Sequence, residues 1–183
     1  MTTRYAALLR GINVSGHKKV PMAQLRTLLA ELGHSDVTTY LQSGNAAFTS
    51  ASGADEDTLA TALEAAIEEH FGFRVDCLVR GGPYLRAVAD ACPFPAAGLE
   101  GRQLHVTYLS GPADPDRFAG LDQEAFLPEA FRLGDRAVYL YTPEGLGRSK
   151  LAEALSRPAL VKGVTATTRN WNTVRKLVEL TRD

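Results

Sequence analysis

Val37-Thr38-Thr39-Tyr40-Leu41-Gln42-Ser43-Gly44-Asn45-Ala46-Ala47-Phe48-Thr49 is the stretch on which the fold turns. Val37, Thr39 and Leu41 alternate as one strand, Ser43-Gly44-Asn45 is a turn signal, and Ala46 to Thr49 continue as the next strand. The segment therefore reads as a hairpin. On its N-terminal side, Pro21 starts a helix with Met22, Leu25, Leu28, Leu29 and Leu32 on one stripe, stopped by Gly33. Before that helix, Arg4 to Arg10 reads as a strand ending at Gly11. On the C-terminal side, Leu59, Leu63, Ala66 and Ile67 repeat at helical spacing and Gly72 marks the end. Val75, Cys77 and Val79 then alternate as a fourth strand. The order is βαββαβ, the ferredoxin-like arrangement. Gly81-Gly82-Pro83 opens a further helix to about Ala91.

The rest of the chain repeats the pattern. Leu104 to Leu109 is a strand, Asp114 to Leu121 a short helix, and Ala130 to Leu133 with Ala137 to Tyr141 a second hairpin. Leu151 and Leu155 sit on a helix ended by Pro158, Val164 to Thr168 is a strand, and Asn170 caps a final helix. Val79-Arg80-Gly81-Gly82 aligns with Thr168-Arg169-Asn170-Trp171 at an offset of 89 residues. The expected fold class is α+β: two tandem ferredoxin-like units, each followed by an extra helix. The expected organisation is a first unit over residues 1–92, a Pro/Gly-rich linker over 93–102 and a second unit over 103–183.

Composition narrows the function. The chain has 183 residues, 45% hydrophobic and 22% charged, as a folded globular protein should. Two cysteines make neither a disulfide framework nor a thiolate metal site. Cys77 reads as a small buried hydrophobe, and nothing near Cys92 in sequence activates it. Apolar runs fall far short of the ~18 residues of a membrane span, and Ala6 to Leu9 is too short for a signal-peptide core. A cytoplasmic protein with no membrane partner is expected. The net charge of −1 is a cancellation. Residues 1–50 carry five Lys/Arg against two Asp/Glu, and residues 151–183 six against three. Residues 51–100 carry three against nine, with Asp55, Glu56, Asp57, Glu64, Glu68 and Glu69 read as the solvated face of one helix.

Topology brings distant motifs to common edges. In a βαββαβ unit the first and second strands are parallel, so the loop after the first strand and the hairpin turn share one end. That rim gathers Arg10, Asn13, Lys18 and Lys19 with Gln42, Ser43 and Asn45. In the second unit the opposite end collects Gly147-Arg148-Ser149-Lys150 and Arg169-Asn170-Trp171-Asn172. Each group includes a helix N-terminus, which favours an anion by about 0.3–1 kcal/mol. Structural readings stand beside this one: Asn45 suits a left-handed turn, Asn170 a plain cap, and Trp171 a packing contact.

Catalytic signals are thin. Adjacent Ser149 and Lys150 diverge on a helix and make no dyad. His17, His34, His70 and His105 lack metal-ligand spacing, so no metal is expected. No nucleotide-loop glycine pattern is present, and no cofactor is expected. Tyr139 and Tyr141 share a face of one strand, where RNA-recognition sheets stack bases. Opposite them the reading places His105 and Thr107 rather than aromatics, which favours a packing role.

Leu8-Leu9-Arg10-Gly11-Ile12-Asn13-Val14-Ser15-Gly16, Val20-Pro21-Met22, Tyr40-Leu41-Gln42-Ser43-Gly44-Asn45, Gly147-Arg148-Ser149-Lys150-Leu151 and Thr168-Arg169-Asn170-Trp171-Asn172-Thr173-Val174 together resemble the bacterial family known as domain of unknown function 1697. The resemblance implies a compact α+β fold of two ferredoxin-like halves and no established activity. The family pattern usually has Gly-Gly where this chain has Ser15-Gly16. The expected function is binding of an anionic, phosphate-bearing small molecule or nucleotide in a cleft between the halves. The ligand-binding set would be Arg10, Asn13, Lys19, Gln42, Ser43, Asn45, Ser149, Lys150, Arg169, Asn170 and Asn172. Three alternatives are single-stranded nucleic-acid binding, an enzyme acting on a phosphorylated substrate, and motif residues that only hold the halves in place.

Overall fold

In the computed structural model, which describes residues 2–183, the hairpin forms between β2 (Ser35–Tyr40) and β3 (Asn45–Ser50). Tyr40 stands opposite Asn45, so the turn consists of residues 41–44. Leu41 belongs to this turn and not, as its alternation suggests, to the strand. Its φ is +61°, it is 52% exposed, and its carbonyl accepts from the Gly44 N–H. Reversing the chain in four residues needs left-handed backbone, which overrides the alternating pattern. Gly44 is the position where glycine is required: its φ is +95°, and a Cβ there would lie 2.7 Å from the Ile12 side chain.

The other strands of this sheet are β1 (Thr3–Leu9) and β4 (Cys77–Gly81), in the order β2-β3-β1-β4, every pairing antiparallel. Alternation sends Ala7, Leu9, Ala46, Phe48, Cys77 and Val79 to one face. There they pack with Met22, Leu25, Leu28 and Leu29 of α1 (Met22–Glu31) and Leu59, Leu63 and Ile67 of α2 (Glu56–Phe71). Each fully buried leucine contributes about 1.5–3 kcal/mol. Helix α2 starts at Asp55, whose carboxylate accepts from the Thr58 N–H at 2.7 Å, and ends at Gly72 with φ +81°. That backbone hydrogen bond holds the Asp55 carboxyl below its usual pKa. Glu56 departs from the expected solvated face, for it pairs at 3.3 Å with the buried Arg80 guanidinium.

The second sheet has the order β6-β7-β5-β8, again antiparallel throughout. Its strands are β5 (Leu104–Leu109), β6 (Ala130–Gly134), β7 (Ala137–Tyr141) and β8 (Ala166–Asn170). The remaining helices are α3 (Gly82–Asp90), α4 (Pro115–Phe118), α5 (Lys150–Leu155) and α6 (Trp171–Leu180). Leu109, Phe118, Phe131, Val138, Leu140 and Leu151 form a core on one face. The offset of 89 residues carries β4 onto β8 and the start of α3 onto the start of α6.

Pairing corrects the surroundings of Tyr139. Val106 lies opposite it, with Leu104 and Tyr108 on the same face, while His105 and Thr107 point to the other side. Tyr139 is 2% exposed, its hydroxyl donates to the Val88 carbonyl, and its ring lies so close to Gly134 that a Cβ there would be 2.6 Å away. Tyr141 packs against Phe94, ring centroids 5.9 Å apart. Tyr139 therefore presents no open stacking surface.

The chain is α+β and divides into two compact units, residues up to Arg86 together with Leu177–Asp183, and Ala87–Lys176. Among the described residues, no helix is long and apolar enough to cross a membrane.

Candidate functional site

The first unit brings its expected rim together. The loop after β1 folds back on itself: the Asn13 N–H donates to the Lys18 carbonyl at 3.1 Å and the His17 N–H to the Val14 carbonyl at 3.0 Å. Ser15 (φ +52°) and Gly16 (φ +75°) form the tip, both left-handed as a tight two-residue reversal demands. The Asn13 side chain ties this small hairpin down. Its Nδ2 donates to the Val20 carbonyl at 3.0 Å and to the Gln42 carbonyl at 2.6 Å, and its Oδ1 accepts from the Val20 N–H at 2.9 Å. Loop and hairpin turn are thus joined through one amide. Asn45 is fully buried and locks the turn from inside, donating to the Tyr40 carbonyl at 2.8 Å and to the Ser43 hydroxyl at 3.3 Å.

Around this scaffold lie the cations. Arg10 faces Asp76 at 3.7 Å with both side chains more than half exposed, a weak pairing in water. The Lys18 ammonium donates to the Arg74 carbonyl at 2.8 Å. Lys19 and the Gln42 side chain are exposed and make no hydrogen bond or ion pair among the described residues. The loop leads through Val20 and Pro21 into α1, which has no side-chain cap and no acidic residue in its first turn. The Gln24 N–H already donates to the Pro21 carbonyl at 3.1 Å, which leaves the N–H groups ahead of it without a capping side chain.

In the second unit the same residue types are occupied by the fold. The Ser149 hydroxyl accepts from the Ala152 N–H at 2.8 Å and caps α5, leaving Lys150 exposed beside it. The Asn170 Oδ1 accepts from the Thr173 N–H at 3.0 Å and caps α6. The Asn172 amide lies against Gly101, where a Cβ would be 2.4 Å away. Arg169 stands opposite Val106 on the sheet face, not at the strand end, and is 8% exposed. Its guanidinium donates to the Thr167 hydroxyl at 2.6 Å and the Thr168 carbonyl at 3.0 Å. Burial pushes its pKa down to about 10, with Tyr108 acting in the opposite direction. Trp171 is buried, and burial also pushes up the Cys77 thiol.

A model of the family described as "Protein of unknown function (DUF1697)" matches residues 1–139. The chain belongs to that family. The DUF1697 match spans the whole first rim and stops short of the Gly147–Leu151 and Thr168–Val174 motifs. A solved structure similar to this DUF1697 chain is that of a conserved bacterial protein from Streptococcus pneumoniae. It is 25% identical, with a TM-score of 0.79 and the full length of both chains covered. No curated protein matches the chain.

Two features of this DUF1697 chain carry no motif in the sequence. Val14 and Leu41 are exposed aliphatics on the first rim, at 59% and 52%. Leu41 precedes Gln42-Ser43-Gly44, and that adjacency was the available signal of a turn position. His105 and Thr142 are buried with His105 Nδ1 and Thr142 Oγ1 lacking hydrogen-bond partners. Burial lowers the His105 pKa to about 4. No motif marks either residue.

Proposed function

We propose that this chain binds a phosphate-bearing small molecule at the first rim, with Arg10, Lys19, Gln42 and Ser43 as the contacting side chains. The observation that carries the reading is the unmet capacity there. Lys19 and Gln42 keep their donors free beside the uncapped start of α1, and three of the five Lys/Arg of residues 1–50 (Arg10, Lys18 and Lys19) lie on this one loop. A cationic loop leading into an uncapped helix is suited to an oxyanion of two charges. Asn13 and Asn45 hold the rim's shape in this reading. Ser149, Asn170 and Arg169 favour the structural alternative, because their hydrogen bonds serve the second unit's own backbone and side chains. Each half is taken as a ferredoxin-like unit, supported by the βαββαβ order and the antiparallel arrangement β2-β3-β1-β4 with its counterpart β6-β7-β5-β8.

The test is thermal unfolding with inorganic pyrophosphate at low ionic strength. A ligand at ten times its Kd adds about 1.4 kcal/mol, or roughly 3–5 °C in Tm for a domain of this size. The double variant Arg10→Ala/Lys19→Ala is expected to lose that rise. Absence of any rise in the wild type at about 10 mM, a concentration at which even a Kd near 1 mM registers, refutes the reading.

A further inference from the structure

The described chain exposes four large hydrophobic side chains, Val14, Leu41, Leu127 and Leu146, and two of them stand on the first rim. Val14 is the residue after Asn13, and Leu41 the residue before Gln42. The Asn13 Nδ2 bond to the Gln42 carbonyl, 2.6 Å long, therefore fixes the two aliphatics on adjoining turns of one edge. Neither position is an accident of a floppy loop. Val14 is held by the His17 N–H bond to its carbonyl, and Leu41 by the Gly44 N–H bond to its own. Leu41 also has a left-handed φ of +61°, a conformation that costs a leucine about 1–2 kcal/mol and that asparagine or glycine adopts readily. A bulky apolar residue kept exposed in a conformation it disfavours points to a use for the side chain.

The surroundings say what kind of group covers these residues. Arg10, His17, Lys18 and Lys19 belong to the same loop as Val14; Arg10 faces Asp76 across a long, exposed ion pair, and the Lys18 ammonium is held by the Arg74 carbonyl. The Gln42 amide beside Leu41 offers both a donor and an acceptor to the edge of a flat heterocycle. We infer that the ligand of this rim is a nucleoside phosphate, its phosphate on Arg10 and Lys19 and its base lying against Val14 and Leu41 within reach of the Gln42 amide. This inference rests on the anion reading above and adds the organic part of the ligand to it. Cations and aliphatics interleaved on one edge match a molecule that is charged at one end and flat and weakly polar at the other. A bare phosphate ester leaves Val14 and Leu41 in water.

Equilibrium dialysis with three probes separates the two levels: inorganic pyrophosphate, ribose 5-phosphate and adenosine 5′-monophosphate, each at low ionic strength. The nucleotide is expected to bind at least about tenfold more tightly than ribose 5-phosphate, the discrimination that covering two aliphatic side chains supplies. In the double variant Val14→Ser/Leu41→Ser that ratio is expected to fall to about one, and in Gln42→Ala to shrink several-fold. Both substitutions replace exposed side chains, so an unchanged melting temperature without ligand certifies the fold. Equal affinity for ribose 5-phosphate and the nucleotide overturns the inference and leaves the anion reading standing. A nucleotide preference that persists in Val14→Ser/Leu41→Ser also overturns it, because the base then sits elsewhere. Failure of all three probes to bind overturns both.

Discussion

His105 makes the chain's stability depend on pH in a direction the structure fixes. It lies on β5 with 6% of its surface exposed, and its Nδ1 has no hydrogen-bond partner. Burial disfavours the imidazolium and pushes its pKa down to about 4, against about 6.5 for an unfolded chain. A folded pKa below the unfolded one means the unfolded chain takes up the extra proton between those values. The stability held above pH 6.5 is therefore lost as pH falls toward 4. A difference of that size corresponds to about 3 kcal/mol at full strength, and residual solvent contact reduces the expectation to about 2 kcal/mol. The perturbation is His105→Leu, which removes the titration and the orphaned nitrogen together. Wild type and variant are unfolded in urea at several pH values from 7 to 4.5. At pH 7 the variant is expected to be at least as stable, since an unmet buried polar atom costs about 1–3 kcal/mol. Toward pH 4.5 the wild type is expected to lose most of those 2 kcal/mol relative to the variant, roughly 4–8 °C in Tm. His34, lowered by burial, and Asp55, lowered by its hydrogen bonds to Thr58, titrate in both proteins and cancel in the difference. Stability curves that run parallel across the range refute the burial argument.

The Arg80–Glu56 pair is asymmetric, the guanidinium 2% exposed and the carboxylate 31%. Glu56→Gln is expected to cost about 2–3 kcal/mol because it leaves a desolvated cation, and adding Arg80→Met should recover most of it; a Glu56→Gln urea midpoint equal to wild type sinks this account. Ser15 occupies the first tip position with φ +52°, a left-handed conformation that glycine adopts without strain. Ser15→Gly is expected to gain about 0.5 kcal/mol, the relief of left-handed strain less the added freedom of the unfolded chain, and a loss on thermal unfolding contradicts it.

The βαββαβ order was legible because each element carries its own period and its own punctuation. Gly72 ends α2 at φ +81°, Asn170 caps α6, and Val75, Cys77 and Val79 alternate into one core as their spacing requires. The offset of 89 residues marked true element boundaries. What the pattern concealed depends on partners far away in sequence. Leu41 fits an alternating strand until Asn45, paired with Tyr40, fixes where the turn must fall. Glu56 fits a solvated helix face until Arg80, twenty-four residues on, is buried beneath it. Arg169 fits a cationic rim until its register opposite Val106 places it on a sheet face. In each case local sequence gives the periodicity and a non-local pairing decides the side on which the residue ends.

Motif residues fall into two kinds. An asparagine or serine beside a turn is ambiguous in sequence because its side chain satisfies a backbone group or a ligand with equal chemistry. Asn13, Asn45, Ser149 and Asn170 resolve the ambiguity, since each directs its amide or hydroxyl to backbone groups of its own unit, in the case of Asn13 as far as Gln42. Losing them costs the fold about 0.5–2 kcal/mol for a cap and more for a buried amide. Arg10, Lys19 and Gln42 obey the opposite logic. Arg10 makes only a long, exposed ion pair, and Lys19 and Gln42 make no side-chain bond, so folding gains little from their identity. Replacing them costs the fold almost nothing, and their donors stay available to something the folded chain meets. For that reason the rim's exposed half, rather than its stapled half, is where a ligand is to be sought.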